Sequence, residues 1–221
     1  MAGDELIDYC DADGVRLGVA SRREVHAQGL WHRTLHLWLA LADDGGSLLY
    51  QLRSASTANW PGRLDASVAG HLLAGEDYRD AMRESREEIG IAVPADAPIA
   101  LGVRREEHPD PDGGWNRELQ GVHIVQLDPA WGSFDAVDRE AGGLTRIGRD
   151  AGPRLHRGET TRIECAALLA DEHGVHAAQR AVTADDFVPR RGYYLRMHEI
   201  AARLIQGEPA ALLAEAFSRH D

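Results

Sequence analysis

Glu84, Glu87 and Glu88 crowd one end of the stretch GHLLAGEDYRDAMRESREEIGI, residues 70–91. On a helix, steps of three and four residues place side chains on one face, so these carboxylates are neighbours. Like charges at that spacing cost an isolated helix about 0.2–0.5 kcal/mol per pair. A helix selected for stability alone would interleave Lys or Arg there. Two explanations stand: a solvated acidic face, or a site for a hard divalent cation that cancels the repulsion. Clustered carboxylate oxygens suit Mg²⁺ or Mn²⁺. Because Mg²⁺ characteristically engages substrate phosphates, the second explanation points to chemistry on a phosphate or diphosphate.

The helix predicted over 77–89 sorts its residues at about 100° per step. Tyr78, Ala81, Met82, Ser85 and Ile89 form a core-facing sector. Arg79, Arg83 and Arg86 form a second, and Asp77, Asp80, Glu84, Glu87 and Glu88 a third. Gly70, five residues, Glu76, and then Arg83-Glu84-Ser85-Arg86-Glu87-Glu88-Ile89-Gly90-Ile91 resemble the motif of the Nudix hydrolases, G-x5-E-x7-R-E-U-x-E-E-x-G-U, with U a bulky aliphatic residue. The chain departs from it twice: six residues rather than seven separate Glu76 from Arg83, and the aliphatic position is Ser85. The resemblance implies an α/β/α sandwich with a mixed β-sheet and Mg²⁺ (or Mn²⁺) as cofactor. It implies metal binding by Glu84, Glu87 and Glu88 with the carbonyl of Ala69, and a structural part for Gly70, Glu76, Arg83 and Gly90. Glu87, or a loop carboxylate, would position or deprotonate a metal-activated water; Glu84 and Glu118 are further catalytic candidates.

Outside the motif, VHAQGLWHRTLHLWL, LLYQLRS, WPGRLDASVAGH and NRELQGVHIVQL look like the isopentenyl-diphosphate-isomerase-like branch of that family, over roughly residues 5–128. Isomerases of the branch use a Cys just before the motif His and a pair of glutamates in the later strand. Here the segment reads Ala66-Ser67-Val68-Ala69-Gly70-His71 without Cys, and Glu118 is accompanied by Asn116. Isomerisation needs a proton donor and acceptor on opposite faces of an alkene, so one half is missing, and hydrolysis of a diphosphate bond is favoured. An isomerase and a non-catalytic sensor of a nucleotide-like ligand are the alternatives. His26, His32 and His71 stand near the positions of the isomerase's histidine metal site, and each also has an ordinary structural reading. Arg53 and Arg63 could hold a substrate phosphate through charge-assisted hydrogen bonds, and Trp60 either lines the pocket or anchors its loop.

Stepping outward, ELIDYCDADGVRLGVA predicts two strands about the turn Asp11–Gly14, which lacks the later ligands of a calcium loop. Alternation in 32–54 predicts a hairpin, 63–70 a short strand, and 98–108 and 117–127 two strands joined by the turn PDPDGGW. GLTRI predicts another strand, RDAGPRLHRGE a short helix, 160–183 a hairpin insertion, and 193–207 and 209–220 two C-terminal helices. No repeat divides the chain, so 1–221 reads as a single domain with its Nudix core at about 30–160. The chain has 221 residues, 43% hydrophobic and 27% charged, with a net charge of −12. That charge disfavours a nucleic acid polymer as partner, since phosphate contacts need a basic footprint. Cys10 and Cys165 form no metal or redox pattern. With neither a signal-like N-terminus nor a membrane-length apolar run, a cytoplasmic protein acting on a small-molecule diphosphate is expected, off the membrane. A homodimer is admitted by analogy with relatives.

Overall fold

The computed structural model describes residues 5–42, 45–57, 59–109, 114–127, 141–171 and 173–218; most of the PDPDGGW turn lies outside them. The strands are β1 (Leu6–Cys10), β2 (Arg16–Ser21), β3 (Trp31–Leu41), β4 (Ser47–Arg53), β5 (Leu64–Asp65), β6 (Val68–His71), β7 (Ile99–Pro109), β8 (Trp115–Leu127), β9 (Ala141–Gly148), β10 (Ile163–Asp171) and β11 (Gly174–Val182). The helices are α1 (Arg22–Gln28), α2 (Glu84–Ile89), α3 (Ala151–Arg157), α4 (Arg191–Ile205) and α5 (Ala210–Ser218). The described strands join in one sheet along the path β11-β10-β9-β4-β3-β1-β2, with β8 beside β3 and β7 beside β8. Only the β3–β8 pair is parallel, so the sheet is mixed.

Side-chain alternation along β3 sets the layers. Leu35, Leu37, Leu39 and Leu41 pack on one face with Ala81, Met82 and Ile89 from the α2 region. Trp38 and Ala40 pack on the other with Tyr193, Tyr194, Met197 and Ile200 of α4. Helices therefore cover both faces, as expected of an α/β/α sandwich. Among the described residues no helix is long and apolar enough to cross a membrane.

Three local features differ from the sequence reading, and a fourth, the 160–183 hairpin, agrees with it. The 32–54 hairpin is only two pairs deep, Ala40 with Leu48 and Leu41 with Ser47. Beyond that β3 pairs with β6 and β4 with β5 and β9, so the two strands part and leave an opening at their far ends. The helix predicted over 77–89 begins as a 3₁₀ segment, Asp80–Arg83, and is α-helical only from Glu84 to Ile89. The 160–183 hairpin forms, and β10 pairs with β9, which widens the sheet. Helix α1 was not expected; its Ser21 accepts from the Glu24 N–H while the Glu24 carboxylate accepts from the Ser21 N–H, a reciprocal cap written in the sequence as Ser-x-x-Glu.

The C-terminal part is tied to the sheet by a buried ion pair. Arg190, just before α4, donates from Nη1 to both Asp65 oxygens at 3.0 and 2.8 Å and from Nε to Glu106 at 2.9 Å. Tyr194 donates its hydroxyl to Asp65 at 3.0 Å. Burial alone would push the Asp65 carboxyl up, but the Arg190 charge, with smaller help from His36, Arg53 and the Ala66 amide, holds it at about 2. That stabilisation is complete above the unfolded value of about 4 and fades as the pH falls toward the folded one. Arg190→Met should therefore cost about 3–5 kcal/mol near neutrality. In urea titrations the difference from wild type should shrink between pH 5 and pH 2.

Candidate active site

The opening between β3 and β4 is a cavity of about 460 Å³. Glu84, Glu87 and Glu88 enter it from α2, and their settings differ. Glu88 is 5% exposed; its Oε2 accepts from Gln51 Nε2 at 3.0 Å and from the Ala69 N–H at 3.1 Å. The Glu84 side chain is 14% exposed and that of Glu87 52%. Arg83 donates from Nη1 to Glu84 at 2.7 Å and to Glu87 at 2.8 Å, and from Nε to Glu76 at 2.9 Å. One guanidinium thus faces three carboxylates, with Glu88 a fourth nearby. Burial, reinforced by the charge of Glu87, raises the Glu84 carboxyl to about 7 even against Arg83. The cluster holds more negative charge than its resident cation neutralises, which fits an added divalent ion.

A second wall comes from the sheet. In register across β3, β8 and β7, His32 lies beside Glu118 and Glu118 beside Glu106; Thr34 lies beside Gln120 and Gln120 beside Arg104. These residues share the face that further along carries Trp38, Val122 and Ile124. One face is therefore polar at the cavity end and apolar at the other. Glu118 accepts from Asn116 and Gln120 at 2.7 Å each and from Thr34 at 3.4 Å. Burial would raise its carboxyl, yet His32, His71, the Gln120 amide and the Arg190 charge hold it well below the usual carboxylate range.

Three histidines gather on this side of the cavity, His32 in register with Glu118. Ligand atoms of His26, His32 and His71 all lie within 4.8 Å of one another, with His26 Nε2 and His71 Nε2 3.1 Å apart. His32 is fully buried and its Nε2 has no hydrogen-bond partner. Burial first, and neighbouring positive charge second, lowers His71 well below the ordinary imidazole value; burial also lowers His32. Neutral imidazoles beside an anionic carboxylate are the protonation states that a metal ion requires of its ligands, and the unpartnered Nε2 fits such an ion.

Of the two expected phosphate-holding arginines, Arg53 lines the cavity, its Nε bound to the Asn59 carbonyl at 2.9 Å. Arg63 does not line it. It borders a neighbouring cavity of about 470 Å³ that shares Trp60 as a wall, although its carbonyl accepts from the Arg53 N–H at the base of the loop. His36, Asp65 and Arg190 line the active cavity without having been anticipated. Nothing local marks them; their partners lie up to 157 residues away.

No protein-family model matches the chain. It is 29% identical to an uncharacterised Nudix hydrolase of Clostridium acetobutylicum over 194 residues, 86% of this chain and 94% of the relative. It is 37% identical to Nudix hydrolase 3 of Arabidopsis thaliana over 127 residues, 56% of this chain but only 16% of that longer protein. The chain belongs to the Nudix hydrolases. A solved Deinococcus radiodurans protein superposes with a TM-score of 0.54 at 22% identity, over 70% of this chain and 90% of that one, a likeness of fold.

The two departures from the Nudix motif are absorbed locally. Glu76 and Arg83 pair despite the shorter spacing. A 3₁₀ helix rises about 2.0 Å per residue against about 1.5 Å for an α-helix, so the four residues Asp80–Arg83 gain about 2 Å, roughly one residue of reach. Ser85, fully buried, donates to the Met82 carbonyl at 2.8 Å and accepts the Val93 N–H at 3.1 Å. It replaces aliphatic packing with a bridge between α2 and the segment after it. Gly90 ends α2 in the left-handed region at φ 74°, and Gly70 lies so close to Glu84 that a β-carbon would overlap the carboxylate. Ser85→Ala should lower stability by about 1–3 kcal/mol in chemical denaturation, since it strands the buried Val93 N–H. Gly70→Ala should leave the fold's melting temperature within a few degrees but displace Glu84, weakening divalent-cation binding measured calorimetrically by about tenfold or more.

Proposed function

We propose that this Nudix hydrolase cleaves a phosphoanhydride bond in a small-molecule diphosphate, such as a nucleoside-diphosphate-linked compound, with Mg²⁺ (or Mn²⁺) bound by Glu84, Glu87, Glu88 and the Ala69 carbonyl. The observation that carries the reading is the excess of carboxylate over cation where α2 meets the cavity. When bound, the ion supplies Lewis-acid polarisation of a phosphoryl oxygen and lowers the pKa of water. The chain's own residues do the rest. Glu88, locked by Gln51 and Ala69, keeps a fixed carboxylate on the floor. Glu87, the most exposed of the three, has room to orient the attacking water and take its proton. Arg53 offers guanidinium N–H groups to a phosphate oxygen. Arg83 donates from one guanidinium nitrogen to both Glu84 and Glu87 and so relieves their mutual repulsion.

The histidine cluster supports a second ion, held by His26, His32 and His71 with Glu118, since imidazole suits transition metals better than Mg²⁺. That arrangement favours an isomerase-like reading on the same scaffold. However, the cavity's described lining contains no thiol, and Cys10 and Cys165 are buried elsewhere, so the acid–base pair for an alkene is incomplete.

Mass-spectrometric product analysis with Mg²⁺ tests the reading. Nucleoside diphosphate derivatives, dinucleotides, nucleoside triphosphates and isopentenyl diphosphate would be offered to wild type and Glu88→Gln. Phosphoanhydride cleavage should fall by about 100-fold or more in the variant; an isomerised prenyl diphosphate with no cleavage would replace the hydrolase with the second reading. Metal analysis separates the two ions: His71→Ala should lose a transition-metal equivalent that Glu88→Gln retains.

A further inference from the structure

His36 lines the cavity from β3, one step along the same face from Thr34 and in register with Ala69 of β6. Its Nδ1 lies 3.2 Å from the Tyr193 hydroxyl, and that hydroxyl lies 2.7 Å from Trp38 Nε1. An indole N–H can only donate, so the Tyr193 oxygen accepts from Trp38. The phenolic hydrogen must then go elsewhere, and His36 Nδ1 is the acceptor within reach. All three side chains are buried, where a donor without an acceptor is costly. An imidazolium, or a neutral ring with its hydrogen on Nδ1, would set N–H against O–H and leave one hydrogen unplaced. The neutral ring with its hydrogen on Nε2 satisfies every group.

With Nδ1 engaged, Nε2–H is the donor that His36 has left for the cavity. The two carboxylates in its surroundings, Asp65 and Glu118, are already engaged. Asp65 accepts from Arg190, Tyr194 and the Ala66 N–H; Glu118 accepts from Thr34, Asn116 and Gln120. The acceptor that best fits this donor is one brought in by a ligand.

We propose that His36 is a substrate-binding residue, neutral and protonated at Nε2, that donates a hydrogen bond to a non-bridging oxygen of the bound diphosphate. Trp38 and Tyr193 are the positioning residues that fix its tautomer. The assignment rests on the hydrolase reading above, and it explains why a histidine, a tyrosine and a tryptophan are linked at the point where the polar half of the sheet face becomes apolar. A neutral donor adds directionality to the site beside the arginine charge.

Long-range ¹⁵N–¹H spectra of the full-length protein, with Mg²⁺ and non-hydrolysable methylenediphosphonate, test it. Wild-type His36 should show the Nε2–H pattern at pH 7, and the diphosphonate should shift its Nε2 resonance. Tyr193→Phe should convert that pattern to a mixture of tautomers and weaken diphosphonate binding by about tenfold. His36→Leu should do the same to affinity, whereas His36→Gln, whose amide nitrogen sits near the Nε2 position, should stay within about threefold of wild type. An imidazolium or Nδ1–H pattern overturns the assignment. So does diphosphonate binding that leaves Nε2 unmoved and is abolished by Glu88→Gln but untouched by His36→Leu, a result that leaves the hydrolase reading standing. Failure of wild type to bind the diphosphonate overturns both.

Discussion

Buried negative charge is the constraint around which this protein is arranged. Asp65 and Glu88 are taken from water, and Glu84, Glu106 and Glu118 partly so. An isolated ionised carboxylate in such a setting costs more than a whole domain's stability can offset. Each must therefore be neutralised, hydrogen-bonded or protonated. Asp65 and Glu106 are neutralised by Arg190, and Glu106 also by Arg104. Glu118 is wrapped by amide and hydroxyl donors. Around Glu84 and Glu87 the balance is incomplete: Arg83 serves both and Glu76 as well, and Glu84 responds by becoming harder to ionise. Of these carboxylates, the ones that share Arg83 are left short of positive charge.

The parting of β3 and β4 makes such a place possible. Continued pairing would have filled the sheet with backbone hydrogen bonds and left no opening. Two short strands, β5 and β6, instead satisfy the edges of β4 and β3, so the backbone loses little while the side chains of both strands gain a shared cavity. Gln51 on β4 reaches Glu88 on α2, and the Ala69 N–H on β6 reaches the same oxygen. The acidic helix α2 is therefore fastened to both lips of the opening. Its short length is adequate because its position is set by these contacts and by the Glu76–Arg83 pair rather than by intrinsic helicity.

What could be read from the sequence follows the range of the interactions. The carboxylates of α2 are grouped by three- and four-residue steps, and strands such as β7 and β8 declare themselves by alternation, so both were legible. Helix α1 was equally legible in the cap Ser21-x-x-Glu24, though apolar periodicity over its seven residues is too brief to mark it. The 77–89 helix was overextended because charge sectors on a wheel do not distinguish a 3₁₀ turn from an α-turn. Arg190 and Asp65 are 125 residues apart, and His36 and Tyr193 157; no spacing rule connects them. His26 and His71, 45 residues apart, each had an ordinary structural reading until the fold placed their nitrogens together.

The same long-range contacts couple the C-terminal helices to the chemistry. Arg190 and Tyr193 begin α4, and between them they reach Asp65, Glu106, Trp38 and His36, four residues on or behind the cavity wall. From Glu106 the chain of contacts continues through Arg104 and Gln120 to Glu118. A segment outside the Nudix motif thereby governs how rigidly the far wall of the site is held, while the motif governs the near wall. The two walls have different chemistry because they have different supports. The helix side is held by charge and remains responsive to an added ion. The sheet side is held by hydrogen bonds and ion pairs that run through Glu106, Arg104 and Gln120 to Glu118, and on it His32 Nε2 and Asn116 Oδ1 are left without partners.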